Sequence, residues 1–192
     1  MTALSKPHAH RLCPVWVGYL LACPIRRFLQ DPRKILTPHV RPGMRVMDVG
    51  SAMGFFSLPL ARLVGPGGRV VCVDVQEKML ERLRGRARRA GVVDRIETRV
   101  CEEESLPVAG LAGRIDFVLA FAVVHEVGDA SRFFSEIRSV LKPGGRALFA
   151  EPKGHVREDA FRDSLAAAER QGLRQVEAPR IARSHAAVLE TA

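Results

Sequence analysis

Five polar residues stand just beyond two apolar runs. His125 and Glu126 follow IDFVLAFAVV, and Glu151, Lys153 and His155 follow RALFA. An imidazole with an ordinary pKa near ~6.5 can take or give a proton at neutral pH. A carboxylate beside it can fix its tautomer or hold a substrate. Two His and two Glu at one mouth could also ligate a divalent ion, but no helical ligand motif supports this and no metal site is assigned. Glu151 and Lys153 have a plainer reading as a solvated surface pair.

A second set of residues offers binding rather than proton transfer. The segment DVGSAMGFF (48–56) carries Gly50, Ala52 and Gly54, and a glycine-bearing turn lets a ligand approach the backbone closely. The dinucleotide fingerprint needs G-x-G-x-x-G, a spacing this turn does not meet, so a pyrophosphate reading fits poorly. Asp74 lies 24 residues beyond Gly50 at the end of VVCVD, where a carboxylate can accept from both ribose hydroxyls. Glu77, three residues later, allows the alternative of a helix cap.

These residues need strand ends and helix starts to hold them. Strands are expected at Arg45–Val49, Arg69–Val73, Ile96–Val100, Ile115–Phe121 and Arg146–Ala150. Helices are expected over Phe55–Val64, Glu77–Ala90, Asp129–Leu141 and Glu158–Gln171, and the segment from Leu173 to Val188 can add a last pair of strands. Pro59 is tolerable only in a first helical turn, Gly91 suits a helix stop, and Asp129 suits an acidic cap. Alternating strands and helices with continuous β-branched runs imply an α/β fold, a parallel sheet covered on both faces. Right-handed crossovers then make it doubly wound. Ligands of such sheets sit beyond the carboxyl ends of the strands, where all the residues named above fall.

The rest of the composition excludes more than it selects. A chain of 192 residues with 47% apolar and 27% charged residues suits one domain with a proper core. The net charge of +9 attracts anions in general. The Arg-rich face Arg82, Arg86 and Arg89 could meet RNA but reads better as a solvated helix side. The loop after the fourth strand, Ala122-Val123-Val124-His125, carries no N-P-P-Y type sequence, which argues further against nucleic acid. Cys13, Cys23, Cys72 and Cys101 form no C-x-x-C pair, so reduced thiols and a cytoplasmic setting are expected. Val15–Cys23 is too short to span a bilayer, so no membrane association is expected.

Taken together, VMDVGSAMGFF (46–56), VVCVDV (70–75), IDFVLAFAVVHEV (115–127) and LKPGGRALFAEPKG (141–154) occur in an order and spacing that resembles the class I S-adenosylmethionine-dependent methyltransferases. The chain is also similar to small prokaryotic methyltransferase-like proteins. The resemblance implies a mostly parallel seven-stranded Rossmann-like sheet with helices on both faces, S-adenosylmethionine as cofactor and S-adenosylhomocysteine as product. It implies that Asp48 and the loop Gly50, Ser51, Ala52, Gly54 and Phe55 hold the methionine part. Asp74 takes the ribose, Val75 packs on the adenine, Glu102 accepts from the adenine amino group, and the Phe121 backbone lies near the methionine amine. The chain departs from the family pattern at Ala52, where a middle Gly usually stands, and at Glu102, one methylene longer than the frequent Asp.

Methyl transfer is an in-line displacement in which positioning carries much of the catalysis. A base is needed only where the acceptor must lose a proton. His125 and Glu151 are the expected catalytic pair, with Glu126, Lys153 and His155 on the acceptor side. Residues 1–40 are expected to form a helical cap that places Trp16 and Tyr19 over the mouth, ahead of a cofactor-binding domain at 41–192. The expected function is methyl transfer to a small-molecule acceptor, and the sequence leaves the oligomeric state open. The alternatives are a cofactor-binding module without turnover and an RNA or protein methyltransferase. A nicotinamide oxidoreductase is disfavoured by the glycine spacing.

Overall fold

The structure, a computed structural model, describes residues 30–102 and 104–191. The expected cap residues Trp16 and Tyr19, with Cys13 and Cys23, lie outside the described residues. Seven strands run in chain order: β1 Arg45–Val49, β2 Arg69–Asp74, β3 Ile96–Val100, β4 Ile115–Phe121, β5 Leu141–Pro152, β6 Leu173–Glu177 and β7 Ser184–Thr191. Five α-helices lie between and before them: α1 Pro32–Leu36, α2 Ser57–Leu63, α3 Glu77–Arg89, α4 Ala130–Val140 and α5 Glu158–Arg170.

The strands form one sheet in the order β3-β2-β1-β4-β5-β7-β6. Pairing is parallel from β3 through β5 and antiparallel where β7 joins β5 and β6. The alternation of side chains along each strand divides the core into two layers. Met47, Val71, Val118 and Phe149 face α4 and α5, meeting Phe133, Phe134, Ile137 and Phe161. Val46, Val70, Leu119 and Leu148 face α1 to α3, meeting Leu36, Leu60, Leu80 and Leu83. The described part of the expected cap segment joins this second layer, with Leu36 and Val40 buried in it.

Local chemistry sets the boundaries. Pro59 occupies the third position of α2, where its missing N–H has no intrahelical partner to lose. Gly91 follows α3 with a positive φ of 66°, and the Asp129 side chain accepts from the Arg132 N–H at the start of α4. The clearest difference from expectation is β5, which begins at Leu141 rather than Arg146. Leu141 pairs with Ile115 and Arg146 with Phe117. The intervening Lys142–Gly145 is thus an insertion carried in the strand, turned by Gly144 at φ 70°. β5 also runs past Ala150, because β7 pairs with it through Glu151 and Pro152. Among the described residues no helix is long and apolar enough to cross a membrane.

The chain moves outward from β1 to β2 and β3, then returns to β4 on β1's other side. The carboxyl ends of β1 and β4 therefore flank the point where the winding reverses, the favoured ligand position of such sheets.

Candidate functional site

A cavity of about 430 Å³ opens at that position, within the size range of small-molecule sites. One part of its wall is the turn after β1. Gly50 adopts φ 69°, and a Cβ there would lie 3.1 Å from Val123 Cγ2. The closeness of the β1 and β4 turns thus requires glycine. The Ser51 N–H donates to the Val73 carbonyl at 2.9 Å, tying the turn to β2. Ala52 is left-handed at φ 44°, a conformation strained for a residue with a Cβ.

Asp74 fixes this turn from β2. Its Oδ2 accepts from the Ala52 N–H at 2.8 Å and its Oδ1 from the Gln76 N–H at 2.9 Å. Burial raises the carboxyl above its ordinary range, against the lowering effect of those two amides. Two lone-pair positions remain for a ligand, since a carboxylate offers about four. The α3 N-cap is Gln76, so Asp74 is not the cap that the sequence allowed. Asp74, Val75, Glu102, Gly50 and Ala52 all line the cavity.

Several expected contacts instead support the wall from behind. Asp48 is buried, and its Oδ2 accepts from the Ser57 Oγ–H at 2.5 Å. Burial raises this carboxyl to about 7, with the Ser57 bond opposing and the Asp74 charge adding to the rise. A Cβ on Gly54 would meet Leu83 Cγ at 3.0 Å, so this glycine serves the packing of the turn on α3. Phe55 stands edge-on to Phe56, whose ring in turn lies 4.7 Å from Phe121. The Phe121 side chain therefore belongs to the core, and the next residue, Ala122, lines the cavity at a left-handed φ of 59°.

The acceptor side is built on the short 3₁₀ turn Val124–Glu126 after β4. Glu151 on the neighbouring β5 is 1% exposed and uses both oxygens there. Oε1 accepts from the Val124 N–H at 2.7 Å, and Oε2 lies 2.5 Å from His125 Nδ1. As a carboxylate Glu151 accepts the Nδ1–H, which fixes the tautomer and leaves Nε2 as the working nitrogen. That nitrogen lies 4.0 Å from Glu126 Oε1, and His125 and Glu126 both line the cavity. The His125 side chain is one-quarter exposed. Its pKa is raised, first by the Glu151 hydrogen bond, with burial opposing.

One acceptor-side expectation is narrowed and two are revised. Of the two roles expected of Glu151, the geometry gives it the tautomer-fixing one: it contacts His125 Nδ1 and does not line the cavity. Lys153 is exposed, does not line the cavity, and is tied through its backbone N–H to the Arg183 carbonyl at 2.9 Å. The turn after Pro152 carries it off the mouth, and Glu151 pairs with His125 instead. His155 does not line the cavity either, although its ring centroid is 6.0 Å from that of His125.

Sequence reasoning named Glu102 on the far wall but missed Cys101, Glu104, Ser105 and Leu106, which line the cavity with it. This wall is anchored by Glu136 of α4, whose Oε2 accepts from the Leu106 N–H at 2.8 Å. The sole signal for this was a lone carboxylate on the helix. Burial pushes the neighbouring Cys101 thiol up to about 11, which makes it a poor nucleophile at neutral pH.

The site suits a ligand with a ribose and a polar tail. The Ser51 Oγ is buried without a hydrogen-bond partner among the described residues, Gly50 lines the cavity without a side chain, and Asp74 presents spare acceptor positions.

The sequence pattern of a family described as "Methyltransferase domain" matches residues 41–182. The chain is 37% identical over 112 residues to the Haemophilus ducreyi ubiquinone/menaquinone biosynthesis C-methyltransferase UbiE, covering 58% of this chain and 42% of that protein. It is 33% identical over 151 residues to the Rhizobium etli ubiquinone biosynthesis O-methyltransferase, covering 78% and 56%. The chain thus spans about two-fifths to somewhat over half the length of these curated relatives. A crystal structure described as a SAM dependent methyltransferase from Aquifex aeolicus superposes with a TM-score of 0.83 at 24% identity, covering 94% of this chain and 100% of that one. This likeness shows the shared fold.

Proposed function

The chain belongs to the methyltransferase-domain family of class I, S-adenosylmethionine-dependent enzymes, and from that premise we propose that it methylates a small-molecule acceptor that must lose a proton. One observation carries the reading: His125, gripped through Nδ1 by buried Glu151, shares a cavity with the Asp74-anchored turn after β1. When bound, S-adenosylmethionine supplies a methyl carbon on a sulfonium, open to in-line displacement.

The chain's residues divide the remaining work. Asp74 binds the ribose hydroxyls through its free lone pairs, and Glu102 accepts from the adenine amino group. The turn Gly50–Ala52 cradles the methionine part, with Asp48, Ser51 and Gly54 supporting it. His125 Nε2 takes the acceptor's proton, and Glu151 holds the resulting imidazolium at the same nitrogen-to-oxygen contact it makes before transfer. Such a positioned base contributes ~10²–10⁴-fold.

Relatives named for ubiquinone and menaquinone biosynthesis support a hydroxylated, quinone-type ring as the acceptor. Ionising a ring hydroxyl makes both its oxygen and the adjacent ring carbon nucleophilic, so the same base serves C- and O-transfer. The experiment supplies methyl-labelled S-adenosylmethionine with reduced quinones and a small-molecule cell extract. Label in a small organic product, matched by S-adenosylhomocysteine, is expected. Label confined to RNA or protein would overturn the acceptor class. Tight binding of S-adenosylhomocysteine without turnover of any acceptor would favour a binding module.

A further inference from the structure

The cavity is charged unlike the chain around it. The sequence holds 30 Lys and Arg against 21 Asp and Glu, yet among the described residues the lining includes Asp74, Glu102, Glu104, Glu126 and Glu136 and no Lys or Arg. Asp74 and Glu102 have cofactor roles under the proposed function, and Glu136 is engaged with the Leu106 N–H and the Ser105 Oγ–H. Glu126 differs, because it projects from the His125 turn. Its side chain is half exposed, and the ion pair found for it among the described residues is the 4.0 Å approach to His125 Nε2.

His125 does not cancel that charge. A protonated His125 is already matched by Glu151 at 2.5 Å, so the His125–Glu151 pair is neutral overall and Glu126 remains as net negative charge. A half-buried carboxylate facing the acceptor, with no Lys or Arg among the described residues of the wall, repels a second anion, and the repulsion is stronger than in bulk water. Glu104 adds to it: its Oε1 lies 3.9 Å from the place a Cβ on Gly128 would occupy, two residues from Glu126.

Resting on the reading of this cavity as the acceptor site, we propose that Glu126 is a specificity-determining residue that sets the acceptor's charge. The subsite takes an uncharged or cationic small molecule and turns away one that carries a carboxylate or phosphate near its reacting atom. A neutral hydroxylated ring meets this condition.

The test uses the full chain loaded with S-adenosylhomocysteine and matched triplets of small aromatic rings, catechols included. Each ring carries an aminomethyl, a methyl or a carboxylate group, and binding is read by ligand-observed NMR and calorimetry. Neutral and cationic members should bind at least about tenfold more tightly than the carboxylates. Glu126→Gln should narrow that gap by about tenfold, weaken the amines and leave the neutral rings unchanged. Carboxylates binding as well as their neutral partners would overturn the inference. So would an unchanged ranking in Glu126→Gln, or no bound member in any triplet. Loss of S-adenosylmethionine affinity in Glu126→Gln with S-adenosylhomocysteine affinity retained would assign Glu126 to the sulfonium instead, and would also overturn it. Failure of the wild-type chain to bind S-adenosylhomocysteine would refute the proposed function itself, a separate outcome seen before any ring is added.

Discussion

Replacing Asp48 by Asn should make the protein more stable at neutral and alkaline pH. Asp48 lies within β1, 3% exposed, with Ser57 Oγ–H donating to it. Burial raises its carboxyl from 3.8 to about 7, so the folded chain holds this proton more tightly than the unfolded one. The favourable contribution is full below the unfolded value of 3.8 and is lost as pH rises through about 7, above which the whole cost of a buried charge stands. A span of about three pH units corresponds to about 4 kcal/mol. Relaxation and water entry around the ionised group reduce that, and about 2 kcal/mol is the expected gain in Asp48→Asn at pH 8. Asn keeps an acceptor for Ser57, so the hydrogen bond survives the change. The assay is urea unfolding of both proteins at several pH values. The difference should be near zero around pH 4 and reach about 2 kcal/mol by pH 8, or roughly 4–8 °C in Tm for a domain of this size. A variant less stable at pH 8, or a difference that does not vary with pH, would refute the reasoning.

Glu151→Gln should shift the acidic limb of the kcat profile to lower pH, because it removes the carboxylate hydrogen bond that raises His125; an unmoved limb would separate His125 from the rate. His125→Ala should lower kcat by ~10²–10⁴ while S-adenosylhomocysteine affinity, measured by calorimetry, stays constant. Asp74→Ala should weaken that affinity by ~1–3 kcal/mol, through the lost ribose acceptor and the released Ala52 N–H. Ala52→Gly should change stability by less than about 1 kcal/mol, since relief of the left-handed strain is offset by a more flexible unfolded chain. It should leave S-adenosylhomocysteine affinity equal or a few-fold tighter, and a tenfold loss would mean that the Ala52 methyl itself packs on the ligand.

What the sequence made legible follows from which forces are local. The runs ending at Val49, Asp74 and Phe121 are largely apolar and rich in Val, Ile or Phe, so they mark buried strands and the place where they stop. The turn glycines and Asp74 likewise announce themselves by spacing. The orientation of a side chain just past a strand end depends on pairing far along the chain. Glu151 became a buried support for His125 because β7 extends β5 past Ala150. Lys153 left the mouth because the turn after Pro152 binds Arg183. Ala122 joins the cavity wall after Phe121, whose ring packs near Phe56 in the core. The insertion Lys142–Gly145 reads as a plain helix stop, and only the pairing of Leu141 with Ile115 shows it lies within a strand. The far wall depends on Glu136, 30 residues from the Leu106 amide it holds, a separation that no local pattern reveals.

The most direct test is a crystal structure of the chain with S-adenosylhomocysteine. The account predicts the ribose hydroxyls on Asp74, the adenine between Val75 and the Glu102 loop, and the sulfur turned toward the side of the cavity where His125 presents Nε2. A ligand bound away from Asp74, or a sulfur facing the wall opposite His125, would contradict it.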